Sequence, residues 1–157
     1  MNQPDRFEDD FSSRYDFAEE FLVVCPKCTS KAQVVPSVEW HSRNLHKVER
    51  KVICSNCGFW DTKQPENGIM LYEDRDWFFE LPLYYTMETS QGTLCAYNDR
   101  HLDYLEDFVS AKIRARSELS DSGWRNKSQI SRLPKWVKLA KNRKLIIAAI
   151  KKVRAKC

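Results

Sequence analysis

Two C-x-x-C pairs, Cys25/Cys28 in VVCPKCTSKAQVV and Cys54/Cys57 in VICSNCGFW, start 29 residues apart in a chain with six cysteines. Two intervening residues let a tight knuckle aim both sulfurs at one ion, while its backbone N–H groups donate to them and hold the thiolate form. Two knuckles complete a tetrahedron. A closed four-cysteine site ordinarily takes zinc, which has no redox chemistry and no geometric demand from its d electrons. Cys25, Cys28, Cys54 and Cys57 are therefore the expected ligands of one Zn(2+) ion. A site closed by four thiolates leaves no coordination position for substrate, so its expected role is structural.

The 25 residues between Cys28 and Cys54 must supply the strands that carry the knuckles. KAQVVPSVEW and LHKVERKVI hold alternating or β-branched residues, and Pro36 restricts the first to an edge or a bulge. Together they predict a zinc ribbon over residues 21–63, in which metal replaces a core too small to hold itself together. His41 and His46 fall within this interval and read as exposed hairpin residues, because four cysteines already satisfy the ion. Iron in a rubredoxin-like site is the rival occupant, since C-P-K-C occurs there too. Rubredoxin knuckles usually carry a small residue after each last ligand; here Gly58 follows Cys57 but Thr29 follows Cys28.

Other residues able to do chemistry are few. The sequence holds no G-x-x-x-x-G-K-[ST] phosphate loop, no H-E-x-x-H, no G-x-S-x-G and no G-x-G-x-x-G, and it has only four glycines and three histidines. Cys95, between Leu94 and Ala96, reads as a small buried hydrophobe, and a Cys95/His101 nucleophile pair finds nothing else to support it. The expectation is a non-enzymatic binding protein without a small-molecule substrate.

Charge is the second signal. From Ser122 to Cys157 there are twelve Lys or Arg residues and no Asp or Glu, whereas residues 1–121 carry 14 basic and 22 acidic residues, a net of −8. The formal +4 of the whole chain thus conceals an acidic front, beginning with the segment 1–20, and a basic tail. In the tail, Pro134 marks the start of a short helix carrying Trp136, Leu139 and Ala140. Asn142 is placed to cap a second helix with Ile146, Ala149, Ile150 and Val153 on one stripe. Arg132, Lys135, Trp136, Lys138, Lys141, Arg143 and Lys144 are the candidate binding residues. They suit phosphates of RNA or DNA, or an acidic protein surface; docking onto the chain's own acidic half is the competing account of the same charges. A membrane surface fits worst, because the apolar face is short and rich in alanine.

Between ribbon and tail, residues 64–116 predict a hairpin and helix body. The hairpin pairs Phe78–Met87 with Thr93–Tyr97, Leu81, Leu83, Tyr85 and Met87 sharing one side. The helix is capped by Asn98, has Asp99 and Asp103 near its positive end and Lys112, Arg114 and Arg116 near its negative end. Its stripe is Leu102, Leu105, Phe108, Val109 and Ile113. A Ser-rich linker, 117–133, leads to the helical tail, 134–157. The fold class is α+β.

LPLYYTMETSQGTLCAYNDRHLDYLEDFVSAKIRAR, followed by SRLPKWVKLAKNR, resembles the body of bacterial proteins that contain a transcription-factor-IIB-type zinc ribbon. AYNDRHLDYLE is the specific part of the likeness, which spans about residues 21–143, and Tyr84 stands where that pattern has tryptophan. The resemblance implies the zinc ribbon and leaves the activity open. The N-terminus lacks a basic n-region and an apolar h-region, and the longest apolar run near the other end, Leu145–Ile150, is far short of the about 20 residues that span a bilayer. A cytoplasmic protein is expected, where thiols stay reduced and C-x-x-C pairs hold metal.

Overall fold

In a computed structural model, residues 5–38, 47–66, 68–116 and 128–156 are described. In chain order the elements are β1 (Arg6–Asp9), β2 (Phe21–Val24), β3 (Lys31–Pro36), β4 (Arg50–Ile53), β5 (Trp60–Lys63), β6 (Tyr85–Thr89), β7 (Gly92–Ala96), α1 (Asp99–Ser110), β8 (Ile113–Arg116), α2 (Lys135–Lys138) and α3 (Arg143–Arg154). The class is α+β. Strands β2, β3, β4 and β5 form one antiparallel sheet in sequence order; β6 and β7 form a hairpin; β1 and β8 pair in parallel.

Four successive apolar residues in β2, FLVV, fit a strand covered on both faces. Phe21 and Val23 point into a core with Val34, Val52, Trp77, Phe78, Leu83 and Tyr97. Leu22 points the other way, into a second core with Tyr85, Met87, Leu102, Leu105 and Val109. The two-residue period of a strand thus joins the cysteine-bearing sheet to the body.

Pro36 is tolerated in the sheet for a different reason from the one expected. β3 is interior, and Pro36 is its last residue. The amide of Ser37 donates to the Glu49 carbonyl, so alternation turns position 36 away from β4, beyond the first residue of β2. No ladder hydrogen bond is lost there.

The hairpin is shorter than the aromatic run suggested. Strand pairing covers Tyr85–Thr89 against Gly92–Ala96, and Phe78 and Phe79 lie in a turn instead. The buried Asp76 carboxylate organises that turn by accepting from the backbone N–H groups of Phe78, Phe79 and Leu81 at 2.7–2.8 Å. Residues 82–84 then extend the main sheet: Val24 N–H donates to Pro82 O, Tyr84 N–H donates to Leu22 O, and Val23 faces Leu83.

Helix α1 has the expected start. The Asn98 side chain accepts from the His101 N–H, and Asn98 Nδ2 donates to the Phe17 and Glu20 carbonyls. Its end is earlier than the sequence pattern indicated. The helix stops at Ser110, and Ile113–Arg116 form β8 against β1, with Arg6 facing Ile113. Ile113 is 58% exposed, so the apolar stripe ends at Val109. Two guanidinium groups take over the terminal carbonyls: Arg114 donates to Phe108 O and Val109 O, and Arg143 donates to Val109 O and Ala111 O. Side chains from outside the helix thereby satisfy acceptors that a further helical turn would have used.

The tail belongs to the second core. Ile130, Leu133, Val137, Ile146, Ile150 and Val153 are buried there, and α3 packs on β6 and α1. In the short helix, Val137 is the buried residue while Leu139 is 43% exposed, which corrects the expected Trp136, Leu139, Ala140 face. Asn142 precedes α3 but does not cap it; its Nδ2 donates to the Trp136 carbonyl. Residues Ser128–Leu133, read as the end of a linker, form a turn anchored by Ser128 Oγ donating to Asp9. His41, His46 and positions 117–127 of the linker lie outside the described residues.

Candidate metal centre and basic face

The β2–β3 and β4–β5 connections are two copies of one knuckle. In the first, Thr29 N–H donates to Cys25 O and Cys25 N–H to Ser30 O; in the second, Gly58 N–H donates to Cys54 O and Cys54 N–H to Phe59 O. Each turn closes through a left-handed residue, Thr29 at φ 63° and Gly58 at φ 75°. Gly58 suits that conformation, whereas the β-branched Thr29 is strained in it. Its hydroxyl donates to the Cys28 carbonyl at 2.6 Å.

The register of the sheet brings the knuckles together. Cys25 Sγ lies 3.7 Å from Cys57 Sγ, Cys28 Sγ lies 3.6 Å from Cys54 Sγ, and all four sulfurs fall within 4.8 Å of one another. Disulfide sulfurs sit about 2.05 Å apart, whereas sulfurs about 2.3 Å from one tetrahedral metal sit about 3.8 Å apart. The cluster therefore has the dimensions of a four-thiolate metal site. Cys25 and Cys54 are buried and the other two half-buried.

The surroundings favour charge at one corner and resist it at another. The Cys28 thiol is pulled down to about 6, chiefly by the Ser30 backbone hydrogen bond and then by the Asn56 amide, whose Nδ2 lies 3.6 Å from the sulfur. At Cys57 a backbone hydrogen bond from Phe59 pulls the same way, but desolvation and the neighbouring thiols push it up to about 11. Four thiolates crowd one another unless a cation lies between them.

The basic candidates divide into two groups. Arg143 caps α1, Lys138 Nζ donates to Ser131 O at 2.9 Å, and Trp136 is half-buried against the hairpin turn, where a Cβ on Gly92 would meet its indole nitrogen at 2.9 Å. These three are built into the fold. Arg132, Lys135, Lys141 and Lys144 are exposed. Lys144 continues along α3 with Ala148, Lys151, Lys152 and Ala155, all exposed, at spacings that share one helical face. Lys151, Lys152 and Lys156 were absent from the candidate set; marking the face opposite Ile146, Ile150 and Val153 would have found them. Arg154, at the flank, instead pairs with Asp103 at 2.5 Å and Glu106 at 2.8 Å. Part of the tail's charge is therefore spent on the acidic half.

Cys95 and His101 line one cleft of about 320 Å³ with Arg14, Gln129 and Arg132. The His101 ring is buried, accepts the Tyr97 N–H at Nδ1, and is driven down to about 3 by burial and then by Arg100. Burial pushes the Cys95 thiol up, and its sulfur faces Thr86 Oγ1 at 3.7 Å. The imidazole and the thiol hydrogen-bond to other groups, and a ring held this far below its ordinary value is a weak base for a thiol that burial keeps protonated. Among the described residues no helix is long and apolar enough to cross a membrane.

Comparison with protein-family models, curated proteins and solved structures finds no match to this chain.

Proposed function

We propose that this chain is a zinc-ribbon protein that binds nucleic acid through the solvent face of α3 and the residues leading into it. Zinc fits the four cysteines on the chemistry of the donor set, all soft thiolates in a closed site. It would lock the two knuckles and the strands between them. Reduced thiols in this role suit the cytoplasm.

One observation carries the binding reading. The exposed face of α3 bears Lys144, Lys151 and Lys152, extended by Lys141 and Lys156, and the only other exposed residues on it are alanines. Two of the carboxylates near α3, Asp103 and Glu106, are engaged by Arg154 instead, while Asp107 lies close to the same guanidinium. Cations left to solvent along one ridge can neutralise successive phosphates. The ligands in this reading are Lys135, Lys141, Lys144, Lys151, Lys152 and Lys156. Arg143, Lys138 and Trp136 hold the ridge in place.

Fluorescence anisotropy with labelled DNA tests this directly. The logarithm of affinity should fall linearly with the logarithm of salt, at about −0.9 per phosphate neutralised on duplex. The triple substitution Lys144→Ala, Lys151→Ala, Lys152→Ala should flatten the slope by about 2 to 3 with the fold intact. Failure of the wild type to bind DNA or RNA at about 50 mM salt would overturn the reading and point to an acidic protein as partner.

A further inference from the structure

On the side of Leu22 the main sheet is covered over β2 by the second core but is open from β3 to β5, and one row of paired residues leads across it. Leu22 faces Gln33, Gln33 faces Ile53, and Ile53 faces Trp60, while Tyr84 lies opposite Leu22 in the added strand. Directly paired residues of an antiparallel sheet project to the same side. Leu22 is buried, but Gln33 is exposed, Ile53 is 38% exposed and Trp60 is 70% exposed. Among the described residues Trp60 is the most exposed of the large hydrophobic side chains, and it stands on an edge strand where packing does not require it. Neighbouring rows on this face carry Lys31 and Lys51.

This face runs into the basic ridge. Lys31 Nζ stands over the Tyr84 ring at 6.0 Å from its centroid, and Tyr84 Oη donates to the Lys156 carbonyl at 3.1 Å, at the C-terminal end of α3. From Tyr84 to Trp60 is four strand spacings, about 19 Å. Among the described residues, Glu49 and Glu20 place carboxylates near this surface. Glu49 is held by Ser37 and Gln64, and Glu20 lies near Lys31, half-buried with its pKa raised, mostly by burial.

We propose that the open sheet face is a stacking platform for single-stranded nucleic acid, with bases on Trp60 and Ile53 and the backbone passing Lys51 and Lys31 toward Tyr84 and the α3 ridge. The inference rests on the nucleic-acid reading above and adds a preference for single strands. An exposed aromatic ring accepts any base, and flanking lysines follow the backbone whatever its sequence. Duplex, with its bases stacked inside, can use the ridge but not the platform.

The test uses the zinc-loaded full chain and fluorescein-labelled oligo(dT) of about 15 nucleotides, with a duplex of equal length as reference. Trp60→Ala should weaken oligo(dT) binding roughly 5- to 150-fold, leave duplex binding unchanged, and leave the salt slope as it was. Trp60→Phe should restore most of the loss. Unchanged zinc content and thermal midpoint in both variants would exclude misfolding. Equal oligo(dT) affinity in Trp60→Ala and wild type, with duplex binding and its salt slope preserved, would overturn the platform and leave the ridge standing. Loss of duplex and oligo(dT) binding to the same extent in Trp60→Ala would also overturn it. A wild type that binds neither probe would overturn platform and ridge together and leave the face to a protein partner.

Discussion

Replacing Arg143 by methionine separates a structural arginine from a ligand-binding one. Its Nε and Nη2 donate to Val109 O and Ala111 O, each at 3.0 Å, at the end of α1. Methionine keeps the aliphatic stem and removes both bonds. Hydrogen bonds from a charged donor contribute about 1.5 to 3 kcal/mol each. Two effects reduce the loss. Water reaches a half-exposed site, and removing the charge relieves repulsion on Arg114, whose pKa is depressed by burial first and by Arg143 second. A net destabilisation of about 1 to 3 kcal/mol follows, equivalent to about 2–12 °C in Tm for a chain of this size. Urea denaturation followed by near-ultraviolet circular dichroism measures it, and anisotropy against duplex DNA gives the salt slope. Arg143→Met should lower the urea midpoint and leave the slope unchanged. Arg143→Lys should do the same, because a compact ammonium cannot fork across two carbonyls. An unchanged midpoint with a slope flattened by about 0.9 would refute the reasoning and return Arg143 to the phosphate contacts.

Metal analysis of protein from zinc-replete cells should find one zinc per chain, and Cys25→Ser or Cys54→Ser should lose the metal and unfold the sheet; stoichiometric iron with visible colour would overturn the zinc assignment. Because Leu22 joins the sheet to the second core, these substitutions should also loosen the body, seen as lost amide-exchange protection in α1. Burial holds His101 neutral to about pH 3, below the ordinary value near 6.5, so the unfolded chain binds the extra proton between those limits. Its contribution is complete above about pH 6.5 and is lost as pH falls toward 3, at up to about 1.4 kcal/mol per pH unit. The stability of His101→Gln should show a correspondingly shallower pH dependence between pH 4 and 6.5, about one proton less; parallel curves would contradict the buried neutral imidazole.

Much of this protein is legible where a feature closes within a few residues. Each C-x-x-C knuckle is completed by hydrogen bonds spanning four or five positions, and the Asn98 cap reaches only to His101. The burial of Leu102, Leu105 and Val109, and of Ile146, Ile150 and Val153, follows from helical period alone. The sequence by itself therefore determined the four cysteines, the existence of α1 and α3, and which side of each helix is apolar. It could not determine where α1 ends, because the groups that take its last carbonyls come from Arg114 and from Arg143, 34 residues beyond Val109. Nor could it pair β1 with β8, whose facing residues Arg6 and Ile113 lie 107 positions apart in the sequence. The site was divided in the same way. Twelve cations in one tail look alike in one dimension, since charge count carries no information about solvation. Packing decided that Arg143, Lys138 and Arg154 spend their charge inside the molecule while Lys144, Lys151 and Lys152 face water, and that Trp136 lies against Gly92 while Trp60 stands exposed. Exposure is a property of the assembled surface, and only the tertiary structure assigns it.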